Sequence, residues 1–339
     1  MNDGSDLGQA AVRLPADAGD IGDRSAATTG AAVEPKPESV WAELFTDVPG
    51  MLGALFLLAL LFVAVFAPLI APHDPAAQNI IMRLRPPAWM ERGDWNHILG
   101  TDHLGRDVLS RILHGSQISL LVGLGTVALA GGFGVLIGLI SGYAGGRTDA
   151  FIVAVVDIQI AFPGLLLALM ILAVVGPSTM TVIIVLALNG WMVYARVTRS
   201  IVLGLRQTAY VEAAEMVGCR PARVLWRHLL PNLASPLLTL ATLEFARIVL
   251  AEAALSFLGL GVQPPATSWG LDVAQGKDYM FRAWWLVTLP GIAIALTVLA
   301  INLVASWSRV TSDPLEREKR FARRLIGSPR LRARMIGRG

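Results

Sequence analysis

The chain has 339 residues, of which 54% are hydrophobic and only 16% charged, against roughly 25% charged in average soluble domains. With a mean hydropathy of +0.59, that balance excludes an ordinary soluble protein and points to an integral membrane protein. The net charge is +3, and a single cysteine, Cys219, excludes an intrachain disulfide.

Residues 1–40 are rich in Ala, Gly, Asp and Thr and almost lack large apolar side chains, so they cannot bury enough surface to offset the entropy of ordering. With Trp41 to Phe45 as an interfacial anchor, 1–45 reads as a disordered extension; no apolar core follows a basic start, as a signal peptide requires. A first span is predicted over about 50–70, because no charge occurs between Asp47 and His73 and Pro68 and Pro72 close it. This span and the polar segment behind it make up residues 46–117. Near the end of that segment Asp102 is expected to cap a helix and Asp107 to pair with Arg111 one turn on.

Residues 118–308 read as a core of five further spans. The second, about 118–141, is dense in glycine (Gly123, Gly125, Gly131, Gly132, Gly134, Gly138), which predicts close helix packing. Residues 158–195 carry no charge, a run too long for one span, and Gly176-Pro177 divides it into spans of about 150–175 and 179–197. The former holds Asp157 and a kink at Pro163. A carboxylate inside a span is costly, so Asp157 is expected either to bond a neighbouring helix or to line a substrate path. Span five, about 236–258, carries Glu244 and Arg247, spaced to neutralise each other, and Glu252, too far from Arg247 to share its face and expected to face a pore or a partner subunit. After a polar loop at 262–283, span six covers about 284–307, led by Trp284-Trp285 at an interface. Residues 309–339 form a basic tail with ten Lys/Arg, suited to anionic lipid.

Between spans four and five, residues 208–232 are polar and charge-rich. Val211, Ala214 and Val217 recur at helical spacing, Gly218 supplies a left-handed stop and Pro221 fits the first turn of a second helix. Val224, Leu225 and His228 or Leu229 give that helix a face, and Pro231 ends it. A short helix–turn–helix between spans results. Segments 1–48, 142–149, 196–235 and 309–339 hold 20 Lys/Arg, against 7 in 72–117 and 259–283. The positive-inside rule therefore places both termini and the 198–235 loop in the cytoplasm.

Glu212-Ala213-Ala214, followed by Gly218 and then by His228-Leu229-Leu230-Pro231, resembles the EAA loop of ABC-importer permeases, whose coupling helix sits in a groove of an ATPase subunit. Gly100-Thr101-Asp102 with Gly105-Arg106-Asp107 is similar to the signature of the C-type subunit of dipeptide/oligopeptide permeases, as is the stretch from Ala251 to Gly261. The resemblance covers about 45–315. It implies an all-α membrane protein with six transmembrane helices in the type I importer arrangement, in a bacterial or archaeal cytoplasmic membrane. It also implies coupling through Glu212, Ala213, Ala214, Gly218, Leu230 and Pro231, and a complex with a second homologous permease, two ATPases holding ATP and Mg, and an extracytoplasmic substrate-binding protein, without nucleic acid. Peptides are the implied substrate, with nickel or glutathione as alternatives within the family.

No catalytic residue is expected. None of the three lysines lies in a Walker A pattern, and Gly138 to Gly142 lacks the spacing of a serine nucleophile turn. A secondary transporter using Asp157 or Glu252 as an ion site is the competing class, weakened by the lack of a visible inverted repeat. No metal site is expected either: no histidine pair has the spacing of a zinc site on a helix, and His97 and His103 share a loop without acidic or cysteine neighbours at ligand spacing.

Overall fold

A computed structural model describes residues 47–312. All of them belong to the compact unit Glu43–Gly339. The expected disorder of 1–45 and nearly all of the basic tail lie outside the described residues.

The first helix, α1 (Val48–Ile70), starts where the Asp47 carboxylate accepts the Gly50 N–H at 3.2 Å. Pro68 does not close it. Proline removes the bond to the carbonyl four residues back, here that of Ala64, and the Gln117 side chain supplies a donor to that carbonyl at 2.8 Å. The helix therefore reaches Ile70. The second, α2 (Val108–Ala144), is 37 residues long and begins ten residues earlier than the apolar run alone implied. Its extra turns carry Ser110, Arg111 and Ser116, polar groups that donate to Asp107, to Asp272 and to the Leu113 carbonyl.

The predicted third span is broken rather than kinked. It consists of α3 (Gly146–Ala161) and α4 (Gly164–Val175), which meet at 83°. Phe162 sits in the extended region, as a residue before proline prefers, and Pro163 becomes the N-cap of α4. Next come α5 (Thr179–Arg206), the short α6 (Ala209–Met216), and α7, which runs unbroken over Pro221–Phe257. The loop after α7 contains an unforeseen helix, α8 (Trp269–Gly276), and the last helix is α9 (Trp285–Ser312). Five helices are long and apolar enough to cross a membrane, or six if the bent pair is one span. No strand is present among the described residues.

Glycine sets how these helices pack. A Cβ on Gly134 would lie 2.2 Å from the Trp191 carbonyl, one on Gly138 2.5 Å from that of Ala195, and one on Gly142 2.8 Å from the Val202 Cβ. Only hydrogen fits at such contacts, so α2 and α5 touch backbone to backbone. The contacts rise in step along both chains, so these helices run parallel. By the same reasoning α1 and α9 are antiparallel, with Gly50 against Trp307 and Gly53 against Ala300. Asp47, Gly145 and the 207–220 loop thus share one end, the base. Residues 71–107 and 258–284 share the other, the head.

Candidate functional site

At the base, α6 is a two-turn helix with one buried side chain, Val211, which joins Leu139, Val202, Val224, Leu229 and Leu233 in an apolar cluster. Gly218 adopts φ +81° and ends the chain turn as expected: its N–H donates to the Glu215 carbonyl at 2.9 Å, and the Cys219 N–H donates to that of Ala214 at 3.1 Å. Val217 is not on the apolar face; it lies past the last turn and is 85% exposed.

Pro221 opens the next helix, but Pro231 does not end it. A π-helical turn, Val224–Leu229, widens the helix so that the Leu230 N–H reaches back to the Leu225 carbonyl, and α7 continues through Pro231. A wide turn relieves the clash between a proline ring and the carbonyl one turn back. Val224 and Leu229, five apart, are consequently the buried pair. The second helix of the expected helix–turn–helix is therefore the start of span five.

Glu212, Ala213, Gly218 and Pro231 are exposed, while Ala214 and Leu230 are half-buried. Three apolar side chains of the same loop are exposed as well: Val217, expected on the apolar face, and Met216 (82% exposed) and Trp226 (60%), which the pattern did not single out. Their signal was present, as large apolar groups inside a charged loop. Behind this surface, the Glu215 carboxylate lies near the Tyr143 hydroxyl, and Arg206 lies 5.5 Å over the Tyr143 ring and donates to its carbonyl at 2.9 Å. The loop is thus tied to the end of α2. Asp149 accepts from Arg199 at 2.5 and 2.6 Å and links α3 to α5.

The head gathers the Gly100–Asp107 motif into a buried ionic network. Asp102 caps no helix. It accepts the Leu104 and Arg106 N–H groups at 2.8 and 2.9 Å and binds Arg106 Nε at 2.6 Å. Asp107 is the N-cap instead, with Ser110 N–H donating at 2.8 Å. Arg111, expected on Asp107, reaches Asp272 of α8, with Nε at 2.9 Å; the cap geometry turns Asp107 away from it. Arg106 donates to Gln275 at 2.7 Å. Burial pushes the Asp272 carboxyl above its ordinary value despite Arg111 and Arg106 nearby. Thr101 receives the Arg85 N–H at 2.9 Å, and its carbonyl accepts from Trp285. Trp285 is therefore buried, not at an interface, and only Trp284 is substantially exposed.

Gly100 (φ +81°) and Gly105 (φ +75°) hold backbone conformations that favour glycine. A Cβ on Gly105 would fall 1.7 Å from the Asn79 carbonyl oxygen. Asn79 N–H also donates to the Leu104 carbonyl, fixing the loop in place.

Of the four charges that the sequence singled out inside the spans, Asp157, Glu244 and Arg247 are in ion pairs. Asp157 accepts from Arg196 of α5 at 2.5 Å, both half exposed, and Arg247 donates to Glu244 at 2.6 and 2.9 Å. Glu252 corrects the expectation of a pore or partner contact. It is 2% exposed and accepts from Ser256 and from Ser268, the α8 N-cap, each at 2.8 Å. The close seat of α8, with Gly270 against Ala253, covers it.

One grouping escaped the sequence reading. His73, just beyond α1, comes within reach of His97 and Asp107, a contact across three segments that no local spacing reveals.

Comparison with known proteins matches residues 134–317 to the family described as binding-protein-dependent transport system inner membrane component. Residues 38–87 match the N-terminal transmembrane domain of oligopeptide transport permease C. The di/tripeptide transport system permease protein DppC of Pseudomonas aeruginosa is 43% identical over 83% of this chain and 93% of its own length. The dipeptide transport system permease protein DppC of Escherichia coli K12 is 42% identical over 82% and 92%. A chain of the inward-facing MetNI methionine ABC transporter aligns loosely, at TM-score 0.43 and 20% identity over 57% of this chain and 94% of that one. With the two family models and the two DppC relatives matching most of the chain, it belongs to the binding-protein-dependent inner membrane components, as a permease of the dipeptide/oligopeptide ABC-importer branch.

Proposed function

We propose that this permease forms half of a peptide translocation pathway, and that the base surface around Glu212 is where ATPase motion enters it. The observation that carries the reading is the exposed apolar trio Met216, Val217 and Trp226 beside Glu212 and Ala213. Large apolar groups at the end of a short helix and in the π-helical turn that follows, next to charge, fit a partner's groove. Ala213 and Ala214 permit close approach, and Glu212 offers a carboxylate to a basic group on the ATPase.

Gly218 and the Val211–Leu233 cluster make the loop a firm handle. Force applied to α6 passes to α2 through Tyr143 and to α7 through the π-helical turn, whose continuity with span five makes the transmission direct. The spans then rock between inward-open and outward-open arrangements, a two-state change biased from another site. ATP and Mg are held by the two ATPase partners. A second permease completes the path, and an extracytoplasmic binding protein delivers substrate at the head. Both termini and the base lie in the cytoplasm. The ion-coupled alternative is weakened because Asp157 and Glu244 face arginines and Glu252 is enclosed by serines.

The test is ATP-dependent peptide uptake by the reconstituted complex. Glu212→Arg, Gly218→Asp and Met216→Asp should each cut uptake at least ~10-fold, the scale of losing a central interface contact, with the two permeases still associated. Wild-type uptake that ignores ATP, or variants that match it, would overturn the coupling role.

A further inference from the structure

His73, His97 and Asp107 reach one point of the head from three separate segments: the chain just past α1, the middle of the head loop, and the N-cap of α2. Each offers one ligand atom, and the three atoms lie within 4.8 Å of one another. His97 Nδ1 is 2.9 Å from Asp107 Oδ1, and His73 Nδ1 is 3.9 Å from Asp107 Oδ2. The two imidazole rings lie 4.7 Å apart between centroids, tilted by 33°. Side-chain exposure falls from 39% at His73 through 12% at His97 to 1% at Asp107. The group is thus closed at the back and open to solvent at the front.

We propose that these three residues bind a transition-metal dication of the zinc class. The donor set decides the class. Two imidazoles and one carboxylate suit Zn²⁺, Cu²⁺ or Ni²⁺, whereas Mg²⁺ and Ca²⁺ prefer oxygen alone. Three protein ligands leave a fourth position, and the exposed side at His73 admits water to it.

The surroundings orient the ligands before any ion arrives. Ser110 holds Asp107 Oδ2 through its N–H at 2.8 Å and its hydroxyl at 2.7 Å, which leaves Oδ1 turned toward His97. The His73 N–H donates to the same Ser110 oxygen at 3.0 Å, which fixes the backbone of the first ligand to the turn that carries the third. Such outer contacts are what keep metal ligands in register. The positive end of α2 opposes a cation here, and the buried Asp107 charge offsets it. A bound ion would clamp the exit of α1, the head loop and the start of α2 together. The inference does not rest on the transport reading, since it uses only residues of the head.

The experiment uses the full chain, purified in detergent with its co-expressed partners through a tag free of histidine, and Zn²⁺ alone as the first probe. After equilibration with micromolar free Zn²⁺, wild type should retain about one equivalent per chain and unfold at a higher temperature than the chelator-treated protein. His73→Asn and His97→Gln should each lose that equivalent and the thermal shift, while His103→Gln, a loop histidine outside the group, keeps both. Cu²⁺ as a second probe should give an electron paramagnetic resonance spectrum with coupling to two ring nitrogens, reduced to one in either variant. Failure of wild type to retain Zn²⁺ would overturn the proposal whatever the variants do. Loss in only one histidine variant, or in neither, would overturn it equally, and would leave the His97–Asp107 contact as a plain hydrogen bond.

Discussion

The head and the base solve opposite problems with the same chain. The head buries its charges: Asp102, Arg106, Arg111 and Asp272 are each under one-tenth exposed and pair with one another across the 100–107 loop, α2 and α8. The base exposes its apolar side chains, with Met216, Val217 and Trp226 outward and a small cluster around Val211 beneath. Buried ion pairs add little net stability but fix one arrangement, because breaking a pair strands a charge. Exposed apolar groups leave binding free energy unused until a partner covers them. One end therefore holds its shape, and the other presents the apolar surface proposed above to receive the ATPase.

The largest break in that comparison should come at Arg111. Arg111→Ala leaves the buried Asp272 carboxylate without its main partner, at about 3–5 kcal/mol. Thermal unfolding in detergent should show a collapse in midpoint. The double variant Arg111→Met/Asp272→Leu should recover much of the loss, which a packing defect alone would not.

A smaller and sharper contrast lies in two glycines with nearly the same backbone angle. Gly105 at the head (φ +75°) has the Asn79 carbonyl where a Cβ would go, while Gly218 at the base (φ +81°) has nothing within 4 Å. Gly218→Ala should cost only the left-handed penalty of about 1–2 kcal/mol. Gly105→Ala adds a backbone clash and should cost clearly more in the same melt. Equal losses would mean that the head loop yields as easily as the base.

The smallest expected effect is on pH. Burial is the main cause of a lowered His103 pKa, with Asp102 opposing and Arg106, Arg111 and Arg83 adding to the lowering. The folded state then binds the proton more weakly than the unfolded state, so stability rises with pH up to the unfolded value near 6.5 and falls on acidification below it. His103→Gln should flatten that part of the pH–stability curve. Asp272, whose pKa is raised, contributes with the opposite sign and cancels in the difference between the two proteins.

Much of this organisation was legible in the residues. Charge-free runs located the spans, because a bilayer core tolerates few charges; Gly218 and Pro221 marked the turn through their backbone geometry; and the Glu212 and Gly100–Asp107 patterns led to the family. What the sequence did not disclose depended on partners distant along the chain. Pro68 and Pro231 look like stops, yet a remote glutamine and a π-helical turn absorb them. Arg111 sits one turn from Asp107, yet tertiary packing gives it Asp272. Glu252 looked directed outward until α8 covered it.

The sequence by itself determined the class of protein, the number of apolar segments and the site of the loop, because hydropathy, charge bias and glycine or proline geometry act within a few residues. Only the tertiary structure decided which charges pair, where Pro163 breaks a span, and that His73, His97 and Asp107 converge. Those outcomes depend on which helices touch, and close helix contact is settled by packing among elements far apart in the chain.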